Sequence, residues 1–240
     1  MFNVLKGKRV KIALVATLFV AAFITLIITV AASSSPLIFL ADTADVKTVI
    51  IDPGHGGVDG GAIGYDGVIE KGINLSISLK LRSFLLSSGY KVIMTREDDR
   101  SIHDKNSSTI SQKKTSDLHN RLKIVTAHPD ALLVSIHQNI FEDSKYSGTQ
   151  VFYSKSNKDS KVLAQTLQSN IKQILQPDNN REIKEAQNNL YILYNARSPA
   201  VMVECGFLSN QIECKQLQDD NYQNKMAFSI FYGILQYMSK

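Results

Sequence analysis

The chain has 240 residues, of which 44% are hydrophobic, so it can bury one sizeable core, and we expect one catalytic domain. Four of its 27 basic residues lie within the first 11 residues, and the remaining chain, with 22 acidic residues, is nearly neutral. No cluster of Lys and Arg interleaved with aromatic residues follows, which argues against nucleic acid as a partner.

The N-terminal sequence predicts export from the cytoplasm. Residues 12–32 carry no charge and are long enough to span a bilayer of roughly 30 Å as a helix. The basic segment 1–11 precedes them, so the positive-inside rule places the rest of the chain outside the cytoplasm, membrane-anchored or secreted. The length of the apolar run favours an uncleaved anchor, whereas small residues at 31–35 would admit cleavage of a signal peptide. We expect a linker at 33–46 and a catalytic domain at 47–240.

The first predicted strand of the domain ends in a glycine-rich turn. Residues 49–51 (Val-Ile-Ile) are typical of a buried strand, and the following Asp-Pro-Gly predicts a turn. His55 therefore lies at the end of a strand, among glycines that let another group approach the backbone closely. Nucleotide-binding patterns fail here, because Asp59 replaces the third glycine of the dinucleotide fingerprint, and the Walker pattern from Gly67 has Ile73 in place of Lys.

The next segments predict a β-α-β unit followed by a second helix. Apolar residues recur from Glu70 to the closing Ser88-Gly89 without a proline, which predicts a helix, and residues 90–95 are typical of a parallel strand. Residues 96–117 are polar and predict a long surface loop. Helical spacing of apolar residues predicts the second helix at 115–127.

A second histidine lies at the carboxyl end of a predicted strand. Residues 131–136 are apolar except for Ser135, and His137, Gln138 and Asn139 follow them. Because ligands of open α/β sheets bind outside the carboxyl ends of the strands, the two histidines delivered there could converge. Two imidazoles and one carboxylate, for which Glu70 is the candidate, leave an open position for water on Zn²⁺, as in catalytic sites.

The C-terminal half continues the alternation of strands and helices. A carboxylate at the end of an apolar run, Glu204, would be costly to bury without a partner, which a zinc-bound water could supply. Cys205 and Cys214 could pair in an oxidising compartment, but a role as a small buried side chain is favoured for Cys205. The predicted elements are a strand at 148–153, a helix at 158–175, an exposed connection at 176–187, an edge element at 190–194, a strand at 201–203 and a helix at 222–238.

Four segments occur in a characteristic order. They are Val-Ile-Ile-Asp-Pro-Gly-His-Gly-Gly at 49–57, Glu-Lys-Gly-Ile-Asn-Leu at 70–75, Ser-Ile-His-Gln-Asn at 135–139 and Val-Glu-Cys-Gly-Phe-Leu-Ser-Asn at 203–210. Together with Met94-Thr95-Arg96, they resemble the zinc-dependent N-acetylmuramoyl-L-alanine amidases of the type-3 amidase family. The resemblance extends from about Lys47 to the C-terminus. It implies a single α/β domain with a twisted, mostly parallel sheet flanked by helices.

The resemblance also implies the roles of individual residues. One zinc ion would be held by His55, Glu70 and His137, and Glu204 would be the catalytic glutamate. Zinc would lower the pKa of its bound water towards about 7, and the glutamate would accept the water's proton and pass it to the leaving amine.

Four further residues near these motifs bear on the substrate. Asn139 and Arg96 are candidates for orienting the site or the peptide. Gln138 stands where the family usually has an apolar or small residue, and Ile140 replaces a small residue. These two departures bear on substrate preference rather than on metal binding.

The implied reaction is hydrolysis of the amide bond between N-acetylmuramic acid and L-alanine in peptidoglycan. The resemblance is strongest to sporulation-specific members from endospore formers, which have an anchoring segment and one bare catalytic domain. It therefore implies action on the spore cortex, on the route to muramic δ-lactam, in the forespore intermembrane space. Relatives often need an activator or regulatory protein, which is an expected partner. Two alternatives stay open, a zinc peptidase or deacetylase acting on another cell-wall bond and a non-catalytic wall-binding or partner-binding module.

Overall fold

One sheet organises the part of the chain that the computed structural model describes, residues 47–239. Its strands are β1 (Thr48–Pro53), β2 (Lys91–Met94), β3 (Leu132–Asn139), β4 (Gln150–Tyr153), β5 (Lys184–Glu185) and β6 (Ala200–Phe207). The flanking helices are α1 (Glu70–Ser87), α2 (Ile110–Thr126), α3 (Asp159–Ile174), α4 (Tyr191–Asn195), α5 (Gln211–Gln218) and α6 (Asp220–Met238).

The strand order is β2-β1-β3-β6-β4-β5. All neighbouring strands are parallel except β4 and β6, which are antiparallel, so the sheet is mixed. A single α/β domain with helices around its sheet is confirmed. The predicted membrane segment at 12–32 and the linker at 33–46 lie outside the described residues. Within 47–239, no helix combines the length and apolar character needed to cross a membrane.

The two faces of the sheet carry different cores. Side chains alternate between the faces along each strand, so Val134 and Ile136 of β3 point to one face and Leu133 to the other. The first face, covered by α1, α3 and α6, carries the larger apolar core, which we call the large face. The second face carries a smaller apolar cluster that includes Leu133, Ala200 and Met202, and α2 and α4 contribute to it. We call it the metal face, because the side chains of His137 and Glu204 project from it.

Helix α2 begins at Ile110, five residues before the predicted start at Thr115. The Thr109 hydroxyl accepts a hydrogen bond from the Gln112 N–H, and the Gln112 side chain accepts one from the Thr109 N–H. This reciprocal capping box satisfies two backbone donors that would otherwise lack partners, so the helix starts within the segment predicted to be loop.

Four elements in the C-terminal half differ from the predictions. The edge element expected at 190–194 is the short helix α4, and the edge strand is β5. Helix α5 was not predicted, and its start is fixed by the Asn210 side chain, which accepts from the N–H groups of Ile212 and Glu213. Strand β6 continues past Glu204 to Phe207, with a register shift against β3 that marks a β-bulge.

Candidate metal centre and active site

Three candidate ligands meet at the carboxyl edge of the sheet. His55 follows β1, Glu70 is the first residue of α1, and His137 lies in β3. One donor atom from each lies within 4.8 Å of the other two. His55 Nε2 is 3.2 Å from Glu70 Oε2, and His137 Nδ1 is 3.0 Å from Glu70 Oε1. The structure thus brings together the three side chains that the sequence predicts.

Glycines make room for this cluster. A Cβ at Gly54 would lie 2.2 Å from His137 Nε2, and a Cβ at Gly61 would lie 2.4 Å from Glu70 Oε2. His55 itself has φ 62°, a left-handed conformation that is uncommon for a residue with a side chain. The turn after β1 is therefore shaped to bring the two rings and the carboxylate close together.

A carboxylate behind His55 orients its ring. Asp59 Oδ2 lies 2.8 Å from His55 Nδ1, and the other Asp59 oxygen accepts from Lys114 Nζ at 2.7 Å. Burial alone would lower the pKa of His55, but Asp59 and Glu70 outweigh it and raise that pKa to about 9. A carboxylate on the far nitrogen is typical of metal-ligating histidines, because it fixes the ring and makes it more basic. The sequence reasoning missed the roles of Asp59 and Lys114.

Glu70 is buried and ionised. Its Oε1 accepts from the Gln138 N–H at 3.0 Å and from Asn74 Nδ2 at 3.0 Å. Burial would raise its pKa, but hydrogen bonds and charge from the two histidines outweigh this and hold the pKa far below its usual range. The carboxylate is therefore in the form that binds a cation. The side chain of Gln138, one of the departures from the family pattern, donates to Asn74 Oδ1. It thus helps to orient Asn74, which in turn donates to Glu70.

Arg96 is buried, although the sequence placed it in a surface loop. Its guanidinium donates to the carbonyls of Pro53 at 2.9 Å, Gly54 at 2.9 Å and Lys71 at 2.8 Å. These bonds tie the turn that carries His55 to the first turn of α1. The structure thus places Arg96 behind the site, where it supports the backbone.

A second buried arginine, missed by the sequence reasoning, holds the same turn. Arg121 of α2 donates to Asp52 Oδ1 at 2.7 Å, to Asp117 Oδ2 at 2.6 Å and to the His55 carbonyl at 2.6 Å. Burial would raise the pKa of Asp52, but Arg121 and hydrogen bonds from Thr95 and Ser135 lower it to about 2. Two buried charges are thereby paired and hydrogen-bonded, as burial requires.

Asn139 lies at the end of β3, beyond His137. Its Oδ1 accepts from the N–H of Ile140 at 2.8 Å, and its carbonyl accepts from Leu208. Its side chain is thus engaged by its own neighbour and is not brought to the ligand cluster. A role for Asn139 towards the substrate stays a prediction.

Glu204 faces the ligand cluster from the neighbouring strand. It pairs in register with His137, so both side chains project from the metal face. Its Oε2 is buried, and none of the residues 47–239 forms a hydrogen bond with it. Burial raises the pKa of Glu204 to about 7, and the charge of Glu70 adds to the rise while the histidines oppose it. A carboxyl group titrating near neutrality suits general acid–base chemistry.

A cavity of about 310 Å³ opens beside these groups. One wall is polar and includes His55, His137 and Glu204. Apolar parts of the lining come from α2, β6 and the segment around α4, through Leu118, Leu190, Tyr191, Ile192 and Met202. The cavity can therefore seat a small, partly apolar group against the candidate metal ligands.

The residues present fit a catalytic zinc ion. Two imidazoles and one carboxylate are a ligand set that zinc hydrolases use, with one position left for water or substrate. An ionised Glu70, a carboxylate behind His55 and space cleared by glycines all favour a bound cation. With Glu204 at the same cavity, the arrangement can hydrolyse an amide through an activated water.

The comparisons with known proteins agree on one kind of enzyme. Residues 49–236 match the family model described as N-acetylmuramoyl-L-alanine amidase. The chain is 35% identical over 194 residues to the germination-specific N-acetylmuramoyl-L-alanine amidase of Bacillus subtilis, covering 81% of each protein.

Solved structures give the same result. The CwlD amidase from Clostridioides difficile, solved in complex with the GerS lipoprotein, is similar with a TM-score of 0.78 and 47% identity. The match covers 80% of this chain and 98% of that one. The N-acetylmuramoyl-L-alanine amidase AmiC2 of Nostoc punctiforme is similar with a TM-score of 0.70 and 29% identity, over 81% and 98% of the two chains.

Proposed function

The chain belongs to the type-3 family of N-acetylmuramoyl-L-alanine amidases, and we propose that it performs this hydrolysis with one Zn²⁺ ion held by His55, Glu70 and His137. The observation that carries the proposal is the convergence of three donor atoms within 4.8 Å beside a cavity. A bound Zn²⁺ would supply a Lewis acid for the scissile carbonyl and would acidify a water molecule. The reaction breaks the amide bond. The hydroxyl of water joins the lactyl carbonyl to form a carboxyl group, and the proton joins the amine of L-alanine.

Glu204 is the proposed general base and acid. It would take a proton from the attacking water and deliver a proton to the nitrogen of the leaving L-alanine. Its register with His137 and its unpartnered buried oxygen support this role. Burial raises its pKa, which favours acceptance of the water's proton by the carboxylate.

The other residues of the site would act on these four groups. Asp59 holds the ring of His55, and Arg96 and Arg121 hold the backbone of the turn that carries it. The apolar cavity wall around α4 would hold the substrate with its scissile bond beside these four groups, and it would exclude water that does not react.

The proposed substrate is the peptidoglycan of the spore cortex. The germination-specific amidase of Bacillus subtilis and the CwlD amidase support this assignment. Removal of the peptide would expose the lactyl carboxylate needed for muramic δ-lactam, a step required for germination. The enzyme would act outside the cytoplasm, in the forespore intermembrane space, anchored or exported by residues 12–32 with a linker at 33–46. The catalytic domain would span 47–240. The complex of CwlD with a lipoprotein supports a regulatory protein partner.

Mass spectrometry of digested peptidoglycan tests the proposed chemistry. The full-length chain would be incubated with purified peptidoglycan and Zn²⁺, with a chelator, and as the Glu204→Gln variant. We expect release of peptides that begin with a free L-alanine amine, and loss of this release with chelator or in the variant. Glu142→Gln is the matched control, because Glu142 is exposed, follows the same strand as His137 and lies outside the cavity lining. Release at another bond, or undiminished release with chelator, would contradict the proposal.

A further inference from the structure

A row of side chains leads from the metal ligands across the sheet. His137, Glu204 and Gln150 pair in register on β3, β6 and β4. The residues before His137 and Glu204, Ile136 and Val203, belong to the core of the large face, so the three paired side chains share the metal face. Neighbouring strands lie about 4.8 Å apart, which places Gln150 about 10 Å from His137 along the sheet.

Arg181 lies at the far end of this row. Its Nη2 donates to Gln150 Oε1 at 3.3 Å, and its guanidinium carbon lies 4.6 Å from the ring centroid of Phe207. The bulge in β6 aligns Phe207 with Asn139, which puts the ring on the metal face as well. The amide and the ring hold the guanidinium in one orientation.

Arg181 forms no ion pair shorter than 4.0 Å with a carboxylate of residues 47–239. None of the ion pairs in this part of the chain includes it, and its buried Nε forms no hydrogen bond there. The carboxylate of Glu213 lies on the same cavity and accepts from the N–H groups of Gly148 and Phe207. The charge of Arg181 also lowers the pKa of Glu213, against the rise that burial causes. An arginine is charged at every accessible pH, and its planar fork matches a carboxylate.

Arg181 lines a cavity of about 600 Å³. Its lining includes the amide side chains of Gln176, Asn180 and Asn210, together with apolar side chains and the carboxylates of Asp178 and Glu213. The amide side chains can form hydrogen bonds with a peptide backbone. The cavity is large enough for several residues of an extended peptide.

From this geometry we infer that Arg181 binds a carboxylate of the peptide that the amidase removes. The inference rests on the proposed function, since it requires the scissile amide to lie at the metal ligands. An extended chain spans at most about 3.5 Å per residue, so about 10–15 Å corresponds to the third or fourth residue after the cleaved bond. An acidic residue there would meet the guanidinium while the amide lies beside Glu204. Arg181 would thereby select acidic stem peptides.

The test crosses the arginine with the carboxylate. Steady-state kinetics of the full-length wild type, Arg181→Ala and Arg181→Lys would be measured on two muramyl peptides, one with free carboxylates and one with these groups amidated. The expected KM of Arg181→Ala for the free peptide rises ~10- to 100-fold, the effect of losing a charge-assisted hydrogen bond, with kcat within about threefold. Amidation should raise the wild-type KM by a similar factor and leave that of Arg181→Ala unchanged. Arg181→Lys should recover only part of the loss, because it keeps the charge without the fork.

Arg197→Ala is the matched control, because this arginine is exposed and should leave both KM values at wild-type levels. A merely structural role for Arg181 would weaken hydrolysis of both peptides equally, and that result would overturn the inference. Equal wild-type KM values for the two peptides would overturn it too. Failure of the wild type to hydrolyse either peptide with Zn²⁺ would instead contradict the proposed function, so the two failures are distinguishable.

Discussion

The large face and the metal face are formed by the same strands, but the large face carries an apolar core and the metal face carries polar functional groups. Along β3, Leu132, Val134 and Ile136 are buried in the apolar core of the large face. Ser135 and His137 point to the other face, where they meet the buried carboxylates of Asp52 and Glu70. Because successive side chains of a strand point to opposite faces, residues that pack in the core alternate with residues that form the candidate site. The large face keeps the strands in register, and this register positions His137 beside Glu204.

The metal face carries costs that the large face does not. It includes a buried ion pair, a histidine in the left-handed region and a glutamate oxygen without a partner in residues 47–239. Such features are retained at functional sites because the surrounding structure holds them in place. Substitutions on the two faces should therefore separate effects on stability from effects on catalysis.

The largest expected effect separates chemistry from stability. Glu204→Gln should lower turnover ~100- to 10,000-fold, because a general base is lost while the metal ligands remain. The variant should also fold at least as stably as the wild type at about pH 8, because it removes a carboxyl group whose ionised form is disfavoured by burial. Peptide release and the free energy of unfolding, measured on the same preparations, check both parts. A loss of stability along with turnover would contradict the prediction that Glu204 serves catalysis rather than stability.

The pH dependence of stability sharpens this prediction. Burial raises the folded-state pKa of Glu204 from its ordinary 4.5 to about 7. Its contribution to stability is therefore fully present below the unfolded pKa and is lost as pH rises through about 7. Denaturant unfolding with a chelator should show Glu204→Gln gaining on the wild type between about pH 5 and about pH 8. A constant difference across this range would show that the carboxyl titrates normally.

Arg121→Met should be the most destabilising change on the metal face, by about 3–5 kcal/mol, because it leaves the buried Asp52 and Asp117 without their partner. This result would show that the turn carrying His55 depends on polar contacts where the large face depends on packing. Chemical denaturation measures the loss. Arg82→Met on α1, whose ion pair with Glu97 is more exposed, is the control and should cost under about 1 kcal/mol.

Leu81→Ala should affect the large face alone. Leu81 is fully buried in α1, and its truncation should cost about 2–5 kcal/mol of stability through lost burial and a cavity. The folded variant should bind Zn²⁺ with wild-type affinity, which calorimetric titration measures. Leu86→Ala, at an exposed position of the same helix, should change neither quantity. A large drop in zinc affinity for Leu81→Ala would show that the faces are coupled.

Asp59→Asn has the smallest expected effect, and it concerns the metal alone. Loss of the carboxylate behind His55 should weaken zinc binding ~10- to 100-fold, because the ring is less basic and less firmly oriented. Competition with a chromogenic chelator gives the affinity. Asp66→Asn, an exposed change in the same glycine-rich segment, should leave it unchanged. Equal zinc affinities for the two variants would show that Asp59 does not support His55 in zinc binding.

Sequence reasoning reached the residues whose role follows from a strand end. His55 and His137 follow apolar runs, and the carboxyl ends of parallel strands converge by topology, so their meeting with Glu70 could be predicted. Arg121 could not be found this way. From sequence alone, a single arginine at a helical position is interpreted as a solvated residue. Its burial depends on an ion pair with Asp52, which lies on the distant strand β1.

Short local signals explain the remaining differences. The capping box at Thr109 and Gln112 was available in the sequence and would have corrected the start of α2. Helix α5 has eight residues, too few for a clear apolar period, and only the Asn210 cap marks it. The burial of Arg96 depends on three backbone carbonyls from distant segments, which no local pattern reports.

Zinc stoichiometry of purified variants tests the central claim most directly. Elemental analysis of the full-length wild type, His137→Ala and Glu204→Gln should give one zinc per chain, almost none and one, respectively. His119→Ala is a matched histidine control, because His119 lies on α2 outside the ligand cluster, and it should retain one zinc. Full zinc content in His137→Ala, or loss of zinc in Glu204→Gln, would contradict the assignment of ligands and base.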